Sequence, residues 1–113
     1  MVKAIQFHKT GRPSVLKWEE VKLGRPKKGQ ALVRHTAIGL NYIDTYQRSG
    51  LYPLPMPSGL GGEAAGVVEA VGAGVKHVKV GDRVAYAGGG PGAYSEARIM
   101  AADPLVRNPR GIS

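Results

Sequence analysis

The sequence has 113 residues, contains no cysteine and carries a formal net charge of +8 at pH 7. We expect one domain, residues 1–113, with room for a single core. The absence of an apolar stretch of about 18 residues excludes a membrane-spanning helix. Residues 1–10 lack the apolar run of a signal peptide, and without disulfides the chain suits a reducing compartment, so we expect a cytoplasmic protein.

The positive charge is concentrated towards the N-terminus, where residues 1–35 contain nine Lys and Arg residues against Glu19 and Glu20. Such an imbalance can attract nucleic acid or anionic surfaces. These charges alternate with apolar residues, as in LKWEEVKL, which is the pattern of a solvated sheet face. We therefore expect no nucleic-acid partner, and RNA binding by this basic third remains an alternative, noncatalytic function.

The predicted elements are mostly strands, joined by turns rich in Gly, Pro, Lys or Ser. Strands are predicted at residues 3–7, 16–21, 30–40, 64–71, 83–87 and 93–100, with a short extended piece near Leu105 and Val106. This pattern predicts a mainly β fold, a small barrel with one or two short helices.

The segment NYIDTYQRSG, residues 41–50, predicts the short helix. Asn41 can cap its N-terminus by accepting a backbone N–H bond, and Asp44 places negative charge in the first turn. Arg48 followed by Gly50 suits the C-terminal end. Because Asp44 and Arg48 are one helical turn apart, we predict an ion pair between them.

The stretch LYPLPMPSGLGG, residues 51–62, is the longest irregular segment. Its prolines remove backbone donors, so it is not expected inside a sheet. A long loop in a compact domain is usually functional or disordered, and beside the Asn41 helix we interpret this one as functional and expect it to border the site. In VGDRV, Gly81 and Asp82 are turn formers before the next strand.

Two glycine patterns imitate the dinucleotide-binding fingerprint. Gly59, Gly61 and Ala64 have neither a strand before them nor a helix after them. The pattern that begins at Gly88 follows a strand, but lacks the acidic residue that ends a second strand, so we interpret GGGPG as a wide turn. The histidines have no metal-ligand spacing and are interpreted as structural or surface residues: His8, His35 and His77.

The segments IGLNYIDTYQRSGLYP, GLGGEAAGVVEAVG and VGDRV, in this order, resemble the N-terminal, GroES-like catalytic domain of the medium-chain dehydrogenase/reductase superfamily. Within it they resemble the zinc-free quinone oxidoreductases related to zeta-crystallin. The resemblance implies a GroES-like, partly open β-barrel, NADPH-dependent reduction of a quinone or related unsaturated carbonyl, and a homodimeric intact protein. It also implies a Rossmann domain, absent from this chain, that holds most of the cofactor, so this fragment alone is expected to be inactive.

The resemblance also bears on metal binding. In the zinc-dependent members, the positions matching Asn41 and Gly62 look to be a cysteine and a histidine. Neither Asn41 nor Gly62 can supply such a ligand, and the carboxylate of Glu63 alone does not hold zinc. We therefore expect a site without zinc.

The resemblance assigns catalysis to Tyr46, Asn41 and Tyr52, and cofactor contacts to Asn41, Tyr46, Asp44 and Arg48. The Tyr46 phenol can donate a hydrogen bond to a carbonyl oxygen that gains negative charge, although it can equally be an ordinary half-buried tyrosine. Asn41 can also be a simple cap, and Tyr52 a packing corner. We predict that Asn41, Tyr46 and Tyr52 converge on one cleft beside the proline-rich loop. An enoyl or 2-alkenal reductase of the same superfamily remains an alternative.

Overall fold

The computed structural model describes residues 2–50, 56, 58–88 and 90–107. The strands in chain order are β1 (Val2–Phe7), β2 (Lys17–Val21), β3 (Gln30–Ile38), β4 (Ser58–Gly59), β5 (Glu63–Val71), β6 (Arg83–Ala87), β7 (Ala97–Ala101) and β8 (Val106–Arg107). A 3-10 turn covers Pro13–Val15, and the α-helix α1 covers Tyr42–Ser49. The predicted mainly β fold is confirmed. The helical segments that the structure describes are too short or too polar to cross a membrane.

The strands form two antiparallel sheets. One has the order β2-β1-β4 and the other the order β7-β3-β5-β6-β8. Between them runs the segment before β7, in which the carbonyl of Tyr94 accepts a 2.7 Å bond from the Ile5 N–H and the Glu96 N–H donates a 2.9 Å bond to the Lys3 carbonyl. The sheets do not close into a full barrel over the described residues, which agrees with the predicted partly open barrel.

The core lies against the central strands of the larger sheet. Val33 of β3, Val68 of β5 and Val84 of β6 are each at most 1% exposed, and complete burial of one such side chain contributes about 1.5–3 kcal/mol. Val33 and Val68 are register partners, so β3 and β5 present their apolar sides to the same interior.

The segment 93–100 was predicted as one strand, and this is wrong over its first half, because β7 begins only at Ala97. The Ser95 N–H donates a 2.8 Å bond to the Ala93 carbonyl, and the Ser95 hydroxyl donates a 2.9 Å bond to the Gly92 carbonyl. These local bonds turn the chain, since a serine side chain can compete for backbone groups. The turn delivers Tyr94 to the space between the sheets.

The proline-rich stretch was predicted to stay outside the sheets, which is wrong for its residues Ser58 and Gly59. They form β4, a two-residue edge strand that pairs with Gln6 and Phe7 of β1. A sheet edge accepts short irregular pieces that the middle of a sheet excludes.

The prediction for β3 extended two residues too far, because β3 ends at Ile38.

Candidate active site

A small cleft lies between α1 and the glycine-rich turns that flank β5 and follow β6. Its volume is about 190 Å³, and its lining residues are Asp44, Gln47, Gly61, Gly62, Gly88, Gly90 and Pro91. A Cβ atom added at Gly62, Gly88 or Gly90 would meet no heavy atom within 4 Å. The backbone is therefore open at these positions, and a flat ring can approach it closely.

The helix beside the cleft begins and ends where the sequence predicted. Asn41 has extended backbone angles, φ −131° and ψ 152°, directly before α1, and Gly50 ends the helix with φ +92°. The Asp44 carboxylate accepts a 3.1 Å bond from the backbone N–H of Asn41. This bond satisfies one of the N–H groups that the first turn of a helix leaves without a helical partner.

Asp44 is a buried charge whose second partner comes from far along the chain. Asp44 is only 2% exposed, and its Oδ2 accepts a 2.6 Å bond from the hydroxyl of Tyr94. A buried carboxylate is tolerated when such donors replace its water. Burial raises the pKa of Tyr94, and the hydrogen bond to the Asp44 carboxylate raises it further. Tyr94 is therefore a protonated donor at neutral pH.

Tyr94 also depends on the glycine beneath it. Its N–H donates a 2.9 Å bond to the Leu60 carbonyl, and its ring lies against Gly61. Gly61 has φ +96°, and a Cβ there would lie 2.8 Å from Cε1 of Tyr94. Gly61 thus combines a left-handed backbone with the close approach of an aromatic ring, and only glycine allows both. We missed Tyr94 in the sequence, where the available signal was an aromatic residue two positions after GGGPG.

The predicted ion pair between Asp44 and Arg48 is wrong. Arg48 Nε instead donates a 3.2 Å bond to the Gly11 carbonyl, and the Gly11 N–H donates a 2.9 Å bond to the Arg48 carbonyl. The two ends of α1 therefore have separate anchors, Tyr94 for the first turn and Gly11 for the last. These anchors connect the helix to the segment before β7 at one end and to the turn after β1 at the other.

The structure describes only some of the other predicted site residues. Asn41 is exposed at the start of α1 but is not among the described residues that line the cleft. Tyr46 lies in α1, but its side chain is outside the described part of the chain, and Tyr52 is outside the described residues altogether. The convergence of Asn41, Tyr46 and Tyr52 therefore stays a prediction.

The histidines have structural partners, as predicted. His35 Nδ1 lies 2.8 Å from the Ser95 carbonyl and Nε2 lies 2.8 Å from the Tyr86 hydroxyl. These partners assign the proton to Nδ1, with Tyr86 donating to Nε2. Burial lowers the pKa of His35, and the nearby positive charge of Arg98 lowers it further. The other histidines bond at the surface or to a backbone carbonyl: His8 to Glu19 and His77 to Ala102.

No group of three or more His, Cys, Asp or Glu side chains within the described ranges is placed to share a metal ion. The side chain of Glu63 fills the space beside Gly39 that a Cβ would occupy there. The Gly39 N–H also donates a 3.0 Å bond to the Glu63 carbonyl. Glu63 therefore packs on the end of β3.

A wider groove of about 450 Å³ lies between the two sheets and includes the exposed apolar residues Trp18 and Ile38. Tyr94 lines this groove, while its hydroxyl reaches Asp44 of the cleft. We place the candidate site in the smaller cleft, because there the buried carboxylate, the helix and the open glycine backbone meet.

Residues 27–110 match the family model of the alcohol dehydrogenase GroES-like domain. The chain belongs to the alcohol dehydrogenase GroES-like domain family. This GroES-like domain is 56% identical over 113 residues to a quinone oxidoreductase of Pseudomonas aeruginosa, with 99% of the chain and 35% of the relative covered. It is 46% identical to a 2-haloacrylate reductase of a Burkholderia species, with 99% of the chain and 35% of that relative covered.

Among solved structures, the GroES-like domain is similar to the quinone oxidoreductase of Escherichia coli complexed with NADPH. The TM-score is 0.95 and the identity 52%, with 98% of this chain and 34% of that chain covered. The predicted resemblance to quinone oxidoreductases of the medium-chain dehydrogenase/reductase superfamily is confirmed. The chain spans about a third, 35%, of the length of the curated relatives that it matches.

Proposed function

We propose that residues 1–113 are the substrate-side catalytic domain of a longer, NADPH-dependent quinone oxidoreductase that transfers hydride without a metal. The observation that carries the proposal is the cleft itself. One wall is α1 with Asp44 and Gln47, and the opposite wall is open glycine backbone. The similarity to quinone oxidoreductases over nearly the whole chain supports it. In this proposal the intact protein is a cytoplasmic homodimer, and a Rossmann domain beyond this chain holds most of the cofactor.

The residues of the cleft fit a nicotinamide cofactor and a flat substrate. Because a Cβ at Gly62, Gly88 or Gly90 would point into open space, planar rings can lie directly on the backbone there. Asp44 lines the cleft, and the exposed Asn41 lies at the beginning of the same helix. NADPH, when bound, supplies the hydride that a quinone accepts. We assign the contacts of this domain with the cofactor to Asn41, Asp44, Tyr46 and Arg48.

The chain's own residues would orient the substrate and stabilise charge. A quinone oxygen becomes negative when hydride reaches a ring carbon, and it then takes a proton from solvent. Loss of the proton from that ring carbon and protonation of the second oxygen restore the aromatic ring and give the hydroquinone. The Tyr46 phenol and the Asn41 amide can each donate a hydrogen bond to that oxygen, and Tyr52 can pack on the ring. Besides its proposed contact with the cofactor, Asp44 bonds to Tyr94 and so holds α1 in place, and with it Asn41 and Tyr46.

A specific relative favours a second substrate class. The 2-haloacrylate reductase is 46% identical over 116 residues, and its name denotes reduction of an activated carbon–carbon double bond. In such a substrate hydride would reach a carbon while the conjugated carbonyl oxygen gains charge, so the same donors would serve. An enoyl or 2-alkenal reductase therefore remains the alternative to a quinone reductase.

The test is turnover by the full-length protein, measured as NADPH oxidation with a quinone series and with 2-haloacrylate and 2-alkenals. We expect the highest kcat/KM with a quinone, and Tyr46→Phe should lower kcat on the order of a hundredfold if its hydroxyl acts in the transition state. Thr36→Val, which removes an exposed hydroxyl on β3, is the control and should leave kcat unchanged. Higher kcat/KM with 2-haloacrylate or a 2-alkenal would favour the alternative, and no NADPH oxidation with either class would overturn both.

The metal-free part of the proposal rests on Asn41 and Gly62, which stand where zinc-dependent relatives look to have ligands. Elemental analysis of the full-length protein should find substoichiometric zinc, and chelators should leave turnover unchanged. One tightly bound zinc per chain would contradict this part.

The fragment itself should bind NADPH poorly, since loss of about 4 kcal/mol of contacts weakens affinity about a thousandfold. Micromolar binding by calorimetry would contradict that expectation.

A further inference from the structure

The wall of the cleft opposite α1 is built from a backbone that has little intrinsic preference for one shape. Gly88, Gly90 and Gly92 have φ values of +114°, +84° and +139°. The Gly88 N–H donates a 2.7 Å bond to the Gly62 carbonyl, and the Gly92 N–H donates a 3.1 Å bond to the Gly61 carbonyl. These bonds hold the two ends of the turn. Glycine populates many backbone conformations, so Gly90, which lies between these bonds, needs another constraint.

Arg98 of β7 supplies that constraint. Its Nη1 donates a 3.2 Å bond to the Gly90 carbonyl, and its Nη2 donates a 3.3 Å bond to the Pro91 carbonyl. The guanidinium also lies against Gly92, where a Cβ would be 3.2 Å from Cζ. Its Cζ is also 5.6 Å from the centre of the Tyr86 ring. The guanidinium therefore contacts both the turn and an aromatic ring.

The fork of Arg98 explains why two consecutive carbonyls point the same way. Two carbonyl oxygens that converge repel each other unless a cation lies between them. A planar guanidinium offers parallel N–H groups to both oxygens at once, and a lysine ammonium does so with a less rigid geometry. Gly90 and Pro91 line the cleft, whereas Arg98, which bonds to both of their carbonyls, is not among the described residues that line it.

We propose that Arg98 is a positioning residue of the cleft, which sets the distance between the glycine turn and α1 and so determines how a quinone ring fits. The proposal rests on the proposed function, since it assumes that the substrate enters this cleft. The claim that Arg98 orders the turn is independent of the proposed function, because the order of the turn can be measured without any substrate.

The experiment compares full-length R98M, R98K and R34M with the unchanged protein. Arg34 is the matched control, because its Nε bonds to Glu69 at 2.9 Å on the exposed face of the neighbouring strand β3. Hydrogen exchange by mass spectrometry should show about tenfold faster exchange in R98M for peptides that cover residues 88–96, with residues 30–38 unchanged. The KM for the quinone should rise about tenfold while kcat changes less than about threefold, since Arg98 does not touch reacting atoms. The exchange rates and the KM of R98K should lie between those of R98M and the unchanged protein. Both quantities in R34M should match those of the unchanged protein.

The proposal is overturned if R98M exchanges like the unchanged protein over residues 88–96, or if exchange rises equally over residues 30–38, which indicates general destabilisation. It is also overturned if R34M raises the KM as much as R98M does. Should R98M fail to fold, R98K decides the same questions with smaller effects. If the full-length protein oxidises no NADPH, the proposed function fails, and the exchange measurement still tests the hold of Arg98 on the turn.

Discussion

The hydroxyl of Tyr94 donates a 2.6 Å hydrogen bond to Oδ2 of Asp44, a carboxylate in a residue that is 2% exposed. Through this bond the segment that joins the two sheets is connected to the first turn of α1. The helix carries Asn41 at its start and Tyr46 in its middle. The position of these proposed site residues therefore depends on Tyr94.

Tyr94→Phe removes the hydroxyl and leaves the buried Asp44 carboxylate with one donor fewer. We expect the free energy of unfolding to fall by about 1.5 kcal/mol, the lower end for hydrogen bonds to charged groups, because Tyr94 is only partly buried. Urea unfolding measures the change. The control Thr36→Val removes an exposed hydroxyl with a 3.3 Å bond and should cost less than about 0.5 kcal/mol. Equal effects of the two substitutions would show that the bond to Asp44 has no special weight.

The contribution of Tyr94 to stability should disappear in alkali. Burial and the Asp44 carboxylate raise the pKa of Tyr94 above the ordinary value of 10.0. Above about pH 10 the unfolded chain therefore loses the phenol proton more readily than the native protein, and the stabilisation that is complete below pH 10 is lost as the pH rises. Unfolding measured from about pH 8 to about pH 11 should show a shallower alkaline decline in Y94F than in the unchanged protein. Parallel curves would contradict the prediction.

Gly61→Ala should be more destabilising than Gly81→Ala, although the two glycines have nearly the same φ, +96° and +92°. Alanine in a left-handed backbone costs about 1–2 kcal/mol at either position. At Gly81 the added Cβ meets no heavy atom within 4 Å, whereas at Gly61 it overlaps the ring of Tyr94. Overpacking adds about 1–3 kcal/mol. Thermal or urea unfolding of the two variants measures the difference, and equal losses would mean that the ring moves away without cost.

His35 should make the domain less stable in mild acid. Its pKa is lowered below the ordinary value of 6.5, first by burial and then by the charge of Arg98. As the pH falls below about 6.5, the unfolded chain takes up a proton that the native protein resists, so the free energy of unfolding declines. His35→Gln should flatten this decline between about pH 7 and about pH 5. An NMR titration in which the His35 imidazole protonates above pH 6.5 would refute the prediction.

Local sequence was sufficient for features that depend on near neighbours. The N-cap at Asn41 and the left-handed Gly50 follow from the chemistry of helix ends, and both lie where predicted. The alternation of residue types also predicted β3 and β5 as strands, because side chains in a strand alternate between its two sides. The start of β7 was misplaced, since the bonds of Ser95 that turn the chain are not visible in that alternation.

The sequence by itself determined the mainly β fold, the helix α1 and the absence of cysteine ligands. Only the tertiary structure decided the partners of the charged groups. Helical spacing predicted that Asp44 pairs with Arg48, but Tyr94, fifty positions away along the chain, supplies the donor to Asp44. Arg98 bonds to the Gly90 and Pro91 carbonyls for the same reason, because the path of β7 brings them together. Spacing along a helix shows which side chains could contact each other, whereas the register of the strands determines which groups are close enough to form a hydrogen bond.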